Sequence, residues 1–233
     1  MLKQLVPAPI RRAARSMTGA LPYRRDSYAQ EGEDLVLARM LEHVERGFYV
    51  DVGAHHPFRF SNTFLFYRKG WRGINIDAMP GSMRLFRRHR RRDFNLEVGI
   101  AERRAEMPFF IFEEPAYNTF DEQLATRLCE SGRTRLVATR TVACRPLSEI
   151  LEQHLPARDQ PIDFLSIDAE GLDAVVLRSN DWNAYRPRIV VIEMVGATLD
   201  EVASSSQAEY LRARGYAPVS KTANSVFFAS EKR

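Results

Sequence analysis

The chain has 233 residues, 45% of them hydrophobic and 10% aromatic, which is enough to bury one full core. No run approaches the roughly 18 consecutive apolar residues of a spanning helix and the N-terminus lacks the compact apolar stretch of a secretory signal, so a cytoplasmic protein is expected and a membrane-embedded or secreted one is not. The net charge is +4 with two cysteines, Cys129 and Cys144, that have no CxxC spacing, which argues against a zinc knuckle or disulfide framework and for buried free thiols.

The charge is unevenly placed. Residues 1–25 form a basic arm with Lys3, Arg11, Arg12, Arg15, Arg24 and Arg25 and no acid, and they leave the remainder slightly acidic. Apolar positions between Pro7, Pro9 and Pro22 suit either a short amphipathic helix over residues 9–18 or a loose extension, which is the route to any membrane-surface contact. Residues 26–233 are expected to form a single domain. Glu31 to Val44 has helical apolar spacing and ends toward Gly47. Phe48 to Val52 is a short apolar run between glycines, as in a buried parallel strand. Gly73 to Asp77, Phe94 to Ile100, Ile162 to Asp168 and Arg188 to Glu193 repeat that pattern, with helices between them, so a parallel sheet covered on both faces is predicted. Arg84, Arg87, Arg88, His89, Arg90, Arg91 and Arg92 read as the solvated face of one helix. Without interleaved aromatic residues they do not suggest nucleic-acid binding. Residues 103–146 interrupt the rhythm as an insertion, with strand-like Phe109 to Phe112 and Leu136 to Val142 around a helical stretch near Phe120 to Cys129. One last helix begins at the capping-box pair Thr198 and Glu201 and runs through Leu211 to Gly215. Tyr216 to Val219 and Ser225 to Ala229 then predict an antiparallel hairpin.

In open α/β sheets ligands bind beyond the carboxyl ends of the strands, and here those ends are acidic: Asp51, Asp77, Asp168 and Glu193, with Glu97 in the third strand. Clustered carboxylates repel one another unless cations, metals or hydrogen-bond donors compensate. The turn Asp51-Val52-Gly53-Ala54-His55-His56-Pro57 has one glycine where a dinucleotide's pyrophosphate would need GxGxxG amides. An aspartate there repels a pyrophosphate but suits an ammonium and a sulfonium, as in S-adenosylmethionine. Asp77, 26 residues on, is then an exposed strand-end carboxylate placed to accept both ribose hydroxyls.

The stretches Tyr28-Ala29-Gln30-Glu31-Gly32-Glu33-Asp34, Tyr49-Val50-Asp51-Val52-Gly53-Ala54, Asn75-Ile76-Asp77 and Ile162 to Gly171, in that order, resemble the FkbM-type methyltransferases over residues 28–195. The resemblance implies a class I, Rossmann-like, doubly wound and mostly parallel seven-stranded sheet. It implies S-adenosylmethionine-dependent transfer, mostly O-methylation of sugars, polyketides or related secondary metabolites. Carried over, Asp51, Gly53 and Ala54 line the methionine portion, Asp77 with Ala78 takes the ribose, and Glu97, Val98 and Gly99 border the adenine. Gln30 and Asp34 either close over the cofactor or form an ordinary helix N-terminal turn. Asn62 and Thr63, after Ser61, either begin the next helix or contact cofactor or substrate. The sequence departs from the family after Ala54, where an Asn-x-Gly is common and His55-His56-Pro57 stands instead.

Methyl transfer to a hydroxyl needs alignment and a group that removes or polarises the hydroxyl proton. Asp168, also counted with the cofactor site, is the first choice for that base or for a metal ligand, with Glu170 beside it. His55 offers an imidazole alternative, and one of His55 and His56 is expected to be structural. A divalent ion held by Asp168, Glu170, Glu193 and a histidine would be oxygen-rich, hence magnesium-like or manganese-like. Tyr117, Asn118, Thr119 and Phe120 either wall a small-molecule or carbohydrate substrate or serve packing and turn roles. Trp71 and Trp182 are expected in the core. N-methylation, a non-catalytic cofactor-binding or membrane-associated partner protein, and an oxidoreductase of the same architecture are the competing readings.

Overall fold

The computed structural model describes residues 24–231, so the helix considered for residues 9–18 lies outside the described residues. After helix α1 (Glu33–Met40) come β1 (Phe48–Val52), α2 (Phe64–Arg68), β2 (Arg72–Asp77), α3 (Met83–His89) and β3 (Phe94–Glu97). Next comes β4 (Gly99–Ile100), and the insertion then holds β5 (Ala105–Phe112), a 3-10 turn (Pro115–Tyr117), α4 (Glu122–Ser131) and β6 (Leu136–Arg145). The chain returns through α5 (Leu147–His154), β7 (Phe164–Ile167), α6 (Asp173–Ser179) and β8 (Ile189–Glu193). It ends with α7 (Leu199–Ser204), α8 (Ser206–Arg212), β9 (Tyr216–Lys221) and β10 (Ser225–Ser230).

Seven strands form one sheet in the order β3-β2-β1-β7-β8-β10-β9, parallel from β3 to β8, with β10 antiparallel to both its neighbours. The alternation of a strand's side chains explains why such apolar runs are needed. Phe48, Val50 and Val52 enter one core with Leu165, Ile167, Val190, Ile192 and residues of α5 to α8, whereas Tyr49, Phe164, Ile189, Val191 and Phe227 enter a second core with Leu37 and Phe66. Trp182 belongs to the first core and Trp71 to the second. No helix among the described residues is long and apolar enough to cross a membrane.

Four local expectations are corrected. The run Phe94 to Ile100 is two strands: β3 stays with β2, while Gly99 and Ile100 peel away to pair with Cys144 and Arg145 in a separate sheet of order β4-β6-β5. Glycine allows this approach, since a Cβ at Gly99 would lie 2.5 Å from Cys144 Sγ and 2.7 Å from the Phe120 ring. The last helix is broken at Ser205, whose backbone is extended (φ −70°, ψ 150°) and whose hydroxyl accepts from Ala208 N–H to start α8. Thr198 and Glu201 do form the capping box of α7. Of the two thiols only Cys144 is buried, and Cys129 is exposed.

The arginine run is the fourth correction. The helix stops at His89, and Arg90 is wholly buried instead of solvated. Its guanidinium donates to Asp93 (3.0 Å), the Pro57 carbonyl, the Tyr49 hydroxyl and the Thr63 hydroxyl. Asp93 also accepts from Tyr49, from Gly73 N–H and from Asn75. Arg90 and Asp93 thus each have several partners, which is the condition for keeping a charge pair out of water.

Candidate active site

The carboxyl ends of β1, β2, β7 and β8 open into a cavity of about 860 Å³, within the usual range for a small-molecule site. The first turn closes it from below. Gly53 and Ala54 both donate their N–H to the Ile76 carbonyl, and Gly53 has φ +81°. Among the described residues three non-glycine residues have positive φ, His55, Phe60 and Glu170, and all three line this cavity. Such conformations are held only where the surroundings over-determine them, and they gather at functional sites. His55 is of a residue type that tolerates this backbone region.

Asp77 is buried, not exposed as expected. Its Oδ2 accepts from His55 N–H (2.8 Å) and its Oδ1 from Met79 N–H (2.8 Å), so it ties together the turns after β1 and β2. Burial raises its pKa against the pull of those two amides. His56 is the structural member of its pair: its Nδ1 accepts from Phe58 and Arg59 N–H, and burial lowers its pKa. His55 is exposed on the cavity wall.

At the far side stand three carboxylates, Asp168, Glu170 and Glu193, with one oxygen of each within 4.8 Å of the others. Asp168 Oδ1 is buried without a hydrogen-bond partner. Burial, then the negative charges of Glu193, Glu170 and Asp173, raise Asp168 from 3.8 to about 9. Glu170 is raised to about 8 by burial, Glu193 and Asp173. Burial also raises Glu193, while its hydrogen bond with Asp168 opposes the rise. At neutral pH the cluster therefore holds protons that an arriving cation would displace.

Of the residues singled out in the sequence, Gln30, Gly53, His55, Asn62, Asp77, Ala78, Val98, Gly99, Asp168 and Glu170 line the cavity. Asn62 donates to the Ser166 hydroxyl at 3.0 Å. Five others do not line it. Asp34 accepts from Ser27 Oγ and Tyr28 N–H at the start of α1. Asp51 is buried beneath the turn, where it accepts from Thr63 Oγ1, itself bonded to Arg90, and burial raises it to about 6. Thr63 is thus spent on that network, and Ser61 Oγ, accepting from Phe64 N–H, takes the capping role at α2. Ala54 packs on Met83 and Phe86, and Glu97 is exposed.

The insertion supplies the opposite wall through Tyr117, Asn118, Thr119 and Phe120. Asn118 also serves the turn, its Oδ1 accepting from Phe112 N–H. Thr119 Oγ1 donates to the Glu170 carbonyl at 3.4 Å, which fastens the insertion to the acidic turn. Sequence reasoning missed Glu33, Arg59, Phe60, Asn224 and Ser225, which also line the cavity. Glu33 accepts from Ser225 Oγ, and Glu31 accepts from Asn224, so the segment before β1 is tied to the β9–β10 turn. Pairings between residues nearly the whole chain apart leave no local sequence signal.

Residues 51–218 match the methyltransferase FkbM domain. No curated protein matches the chain. Among solved structures, the chain is similar to an FkbM methyltransferase from Methylobacillus flagellatus, with 13% identity and a TM-score of 0.46 over 79% of this chain and 44% of that one. The chain therefore spans less than half the length of that protein. It is also similar to 1,6-didemethyltoxoflavin-N1-methyltransferase from Burkholderia thailandensis, which was solved with 1,6-didemethyltoxoflavin and S-adenosylhomocysteine; identity is 15% and the TM-score 0.41, over 96% of this chain and 89% of that one. With residues 51–218 inside that domain and the mostly parallel, Rossmann-like seven-stranded sheet closed by an antiparallel hairpin, the chain belongs to the FkbM methyltransferase family.

Proposed function

We propose that the protein methylates a hydroxyl on a sugar, glycan or secondary metabolite, in the cavity beyond β1, β2, β7 and β8. The observation that carries this reading is the partnerless Asp168 Oδ1, buried beside Glu170 and Glu193 on the cavity wall. A buried carboxylate cluster of this kind is matched to a cationic ligand and to proton removal.

The residues fit the cofactor in two ways. Gly53 leaves no side chain between the first turn and Asp168, and the unsatisfied Asp168 Oδ1 belongs to a cavity-lining carboxylate that a positive group would complete. Bound S-adenosylmethionine supplies a methyl group already activated by a positive sulfur. In this reading Asp77 holds the ribose hydroxyls while keeping both turns in place, Val98 and Gly99 border the adenine, and Gln30 covers it. Asp168 in its ionised form would accept the proton of the acceptor hydroxyl as the methyl carbon exchanges its bond to sulfur for one to oxygen, leaving S-adenosylhomocysteine, and Glu193 would share that proton. Phe120 and Tyr117 offer aromatic faces to the acceptor, and Thr119 holds that wall against the Glu170 turn.

The 4.8 Å grouping of three carboxylates favours one second reading, in which Asp168, Glu170 and Glu193 hold a magnesium or manganese ion that polarises the acceptor oxygen. Incubation with S-adenosylmethionine and a panel of hydroxylated and amino acceptors, including nucleotide sugars, tests the proposal by release of S-adenosylhomocysteine. Product from hydroxyl acceptors is expected. Product from amines alone would replace O-methylation by N-methylation, and cofactor binding without turnover on any acceptor would favour a non-catalytic binding protein. Loss of turnover with a chelator and its return with magnesium or manganese would favour the ion over the free base.

A further inference from the structure

Several exposed cations of this protein pair with carboxylates, as in Arg39 with Glu42, Arg104 with Glu149, Arg135 with Glu113 and Arg178 with Glu102. One long stretch of the chain offers no such partner. From Val52 to Arg92 the chain has a single acid, Asp77, which is buried. The same stretch exposes nine arginine and lysine side chains, five of them on or just after α3, and none of the nine has a carboxylate partner among the described residues. Uncompensated charge at this density destabilises the free protein and favours an anionic partner.

The patch is not purely polar. Phe60 and Leu85 are each 46% exposed within it. Leu85 lies one turn before His89 on α3, His89 packs its ring against Phe58 at 4.9 Å, and the Arg59 guanidinium covers the Phe60 ring at 4.3 Å. Apolar side chains ringed by arginines suit a lipid headgroup boundary, into which they insert while the guanidiniums meet phosphates and carboxylates. A nucleic-acid backbone would use the cations but leave Leu85 without a partner.

The N-terminal chain arrives on the same face. Tyr28 packs edge-on against Phe64, accepts from Arg68 and offers its carbonyl to Ser61 N–H. Residues 1–23, which precede this anchor, add Lys3, Arg11, Arg12 and Arg15 and no acid.

We infer that the face formed by α3, the Arg59–Phe60 turn and the α2 end is a docking surface for an anionic lipid bilayer. Arg59 and Phe60 also line the cavity, so docking turns its mouth toward the headgroups. The inference stands apart from the methyl acceptor's identity and is tested without turnover.

The full-length protein is sedimented with vesicles of phosphatidylcholine alone or with 30% phosphatidylserine, at low and high salt. Binding is expected only to the anionic vesicles and is expected to weaken with salt. Removal of three cations in an Arg84→Gln, Arg87→Gln, Arg88→Gln variant should lower vesicle affinity by roughly 100-fold, at about fivefold per charge near the surface. A Leu85→Trp variant should shift its emission to the blue on vesicle addition. A second full-length variant with Lys3, Arg11, Arg12 and Arg15 changed to Gln should retain binding that the α3 variant loses. The inference is overturned by equal binding to both vesicle types or to neither, by an α3 variant with a native melting curve that binds as the wild type does, or by tighter binding to duplex DNA or RNA than to anionic vesicles in the same buffer.

Discussion

A Cβ on Gly53 would lie 1.7 Å from the main-chain oxygen of Asp168. The end of β1 and the end of β7 are therefore in direct contact, joined also by the Asp168 N–H to Val52 carbonyl bond of 3.0 Å. Gly53 has φ +81° as well, so alanine there meets both a steric clash and an unfavourable backbone region. Gly53→Ala is expected to destabilise by about 2–5 kcal/mol, from overpacking and positive φ together. In a domain of this size that lowers the melting temperature by about 5–15 °C. Cofactor affinity should fall with it, because the same shift displaces Asp168. A variant that melts with the wild type and binds S-adenosylmethionine equally well would break the link between the two strand ends.

Asp77 has two jobs that substitution can separate. Its carboxylate holds the His55 and Met79 amides, and in the proposed function it also takes the ribose. Asp77→Ala leaves two N–H groups unsatisfied and should cost about 1–3 kcal/mol of stability. The ribose contact, a charge-assisted pair of hydrogen bonds, should add a loss of about tenfold or more in affinity. Titration calorimetry on Asp77→Ala and Asp77→Asn, at a temperature where both are folded, checks this. Unchanged affinity in both variants would leave Asp77 a purely structural residue.

The strands were legible because a doubly covered parallel sheet demands apolar runs with no surface side, and Phe48 to Val52 or Ile189 to Glu193 has no other stable use. Strand ends follow from the same logic, so the sequence alone puts Gly53, Asp77 and Asp168 at one edge. Asp51 could not be separated from them, since only the pleat shows that it shares a face with Tyr49 and points to Thr63. The break at Ser205 was hidden because serine can cap a helix or continue one. Glu33 and Asn224 came to the cavity through a pairing across nearly the whole chain, for which periodicity carries no information.

Arg90 shows what a charge run conceals. Its neighbours Arg88 and Arg91 are exposed, while Arg90 lies fully buried against Asp93, Tyr49, Thr63 and Pro57. Removing one partner of a buried pair leaves the other charge stranded, which typically costs 3–5 kcal/mol. Arg90→Ala is therefore expected to destabilise by about that amount, and Arg91→Ala by less than about 0.5 kcal/mol. Denaturant melts of the two variants side by side decide the matter. Equal midpoints would mean that Arg90 is solvated with the rest of the run.

Asp168 makes the stability of the cofactor-free protein depend on pH in a defined direction. Its folded pKa, about 9, is above the ordinary value of 3.8, so the folded state binds the proton more tightly than the unfolded chain does. The resulting stabilisation is fully present below about pH 4 and is lost progressively as pH rises through about 9. Glu170, raised to about 8, acts with the same sign. The wild-type melting temperature should therefore fall between pH 6 and 9. Asp168→Asn, which cannot ionise, should show a shallower fall and be the more stable of the two at pH 9. A cationic ligand favours the ionised form, so S-adenosylmethionine binding to the wild type should release protons and tighten as pH rises. The variant should bind with a smaller release, visible by calorimetry in buffers of different ionisation enthalpy. Once an acceptor is identified, turnover by Asp168→Asn should drop by about 10²–10⁴ while cofactor affinity changes far less. Parallel melting curves for the two proteins, together with normal turnover, would remove Asp168 from both roles.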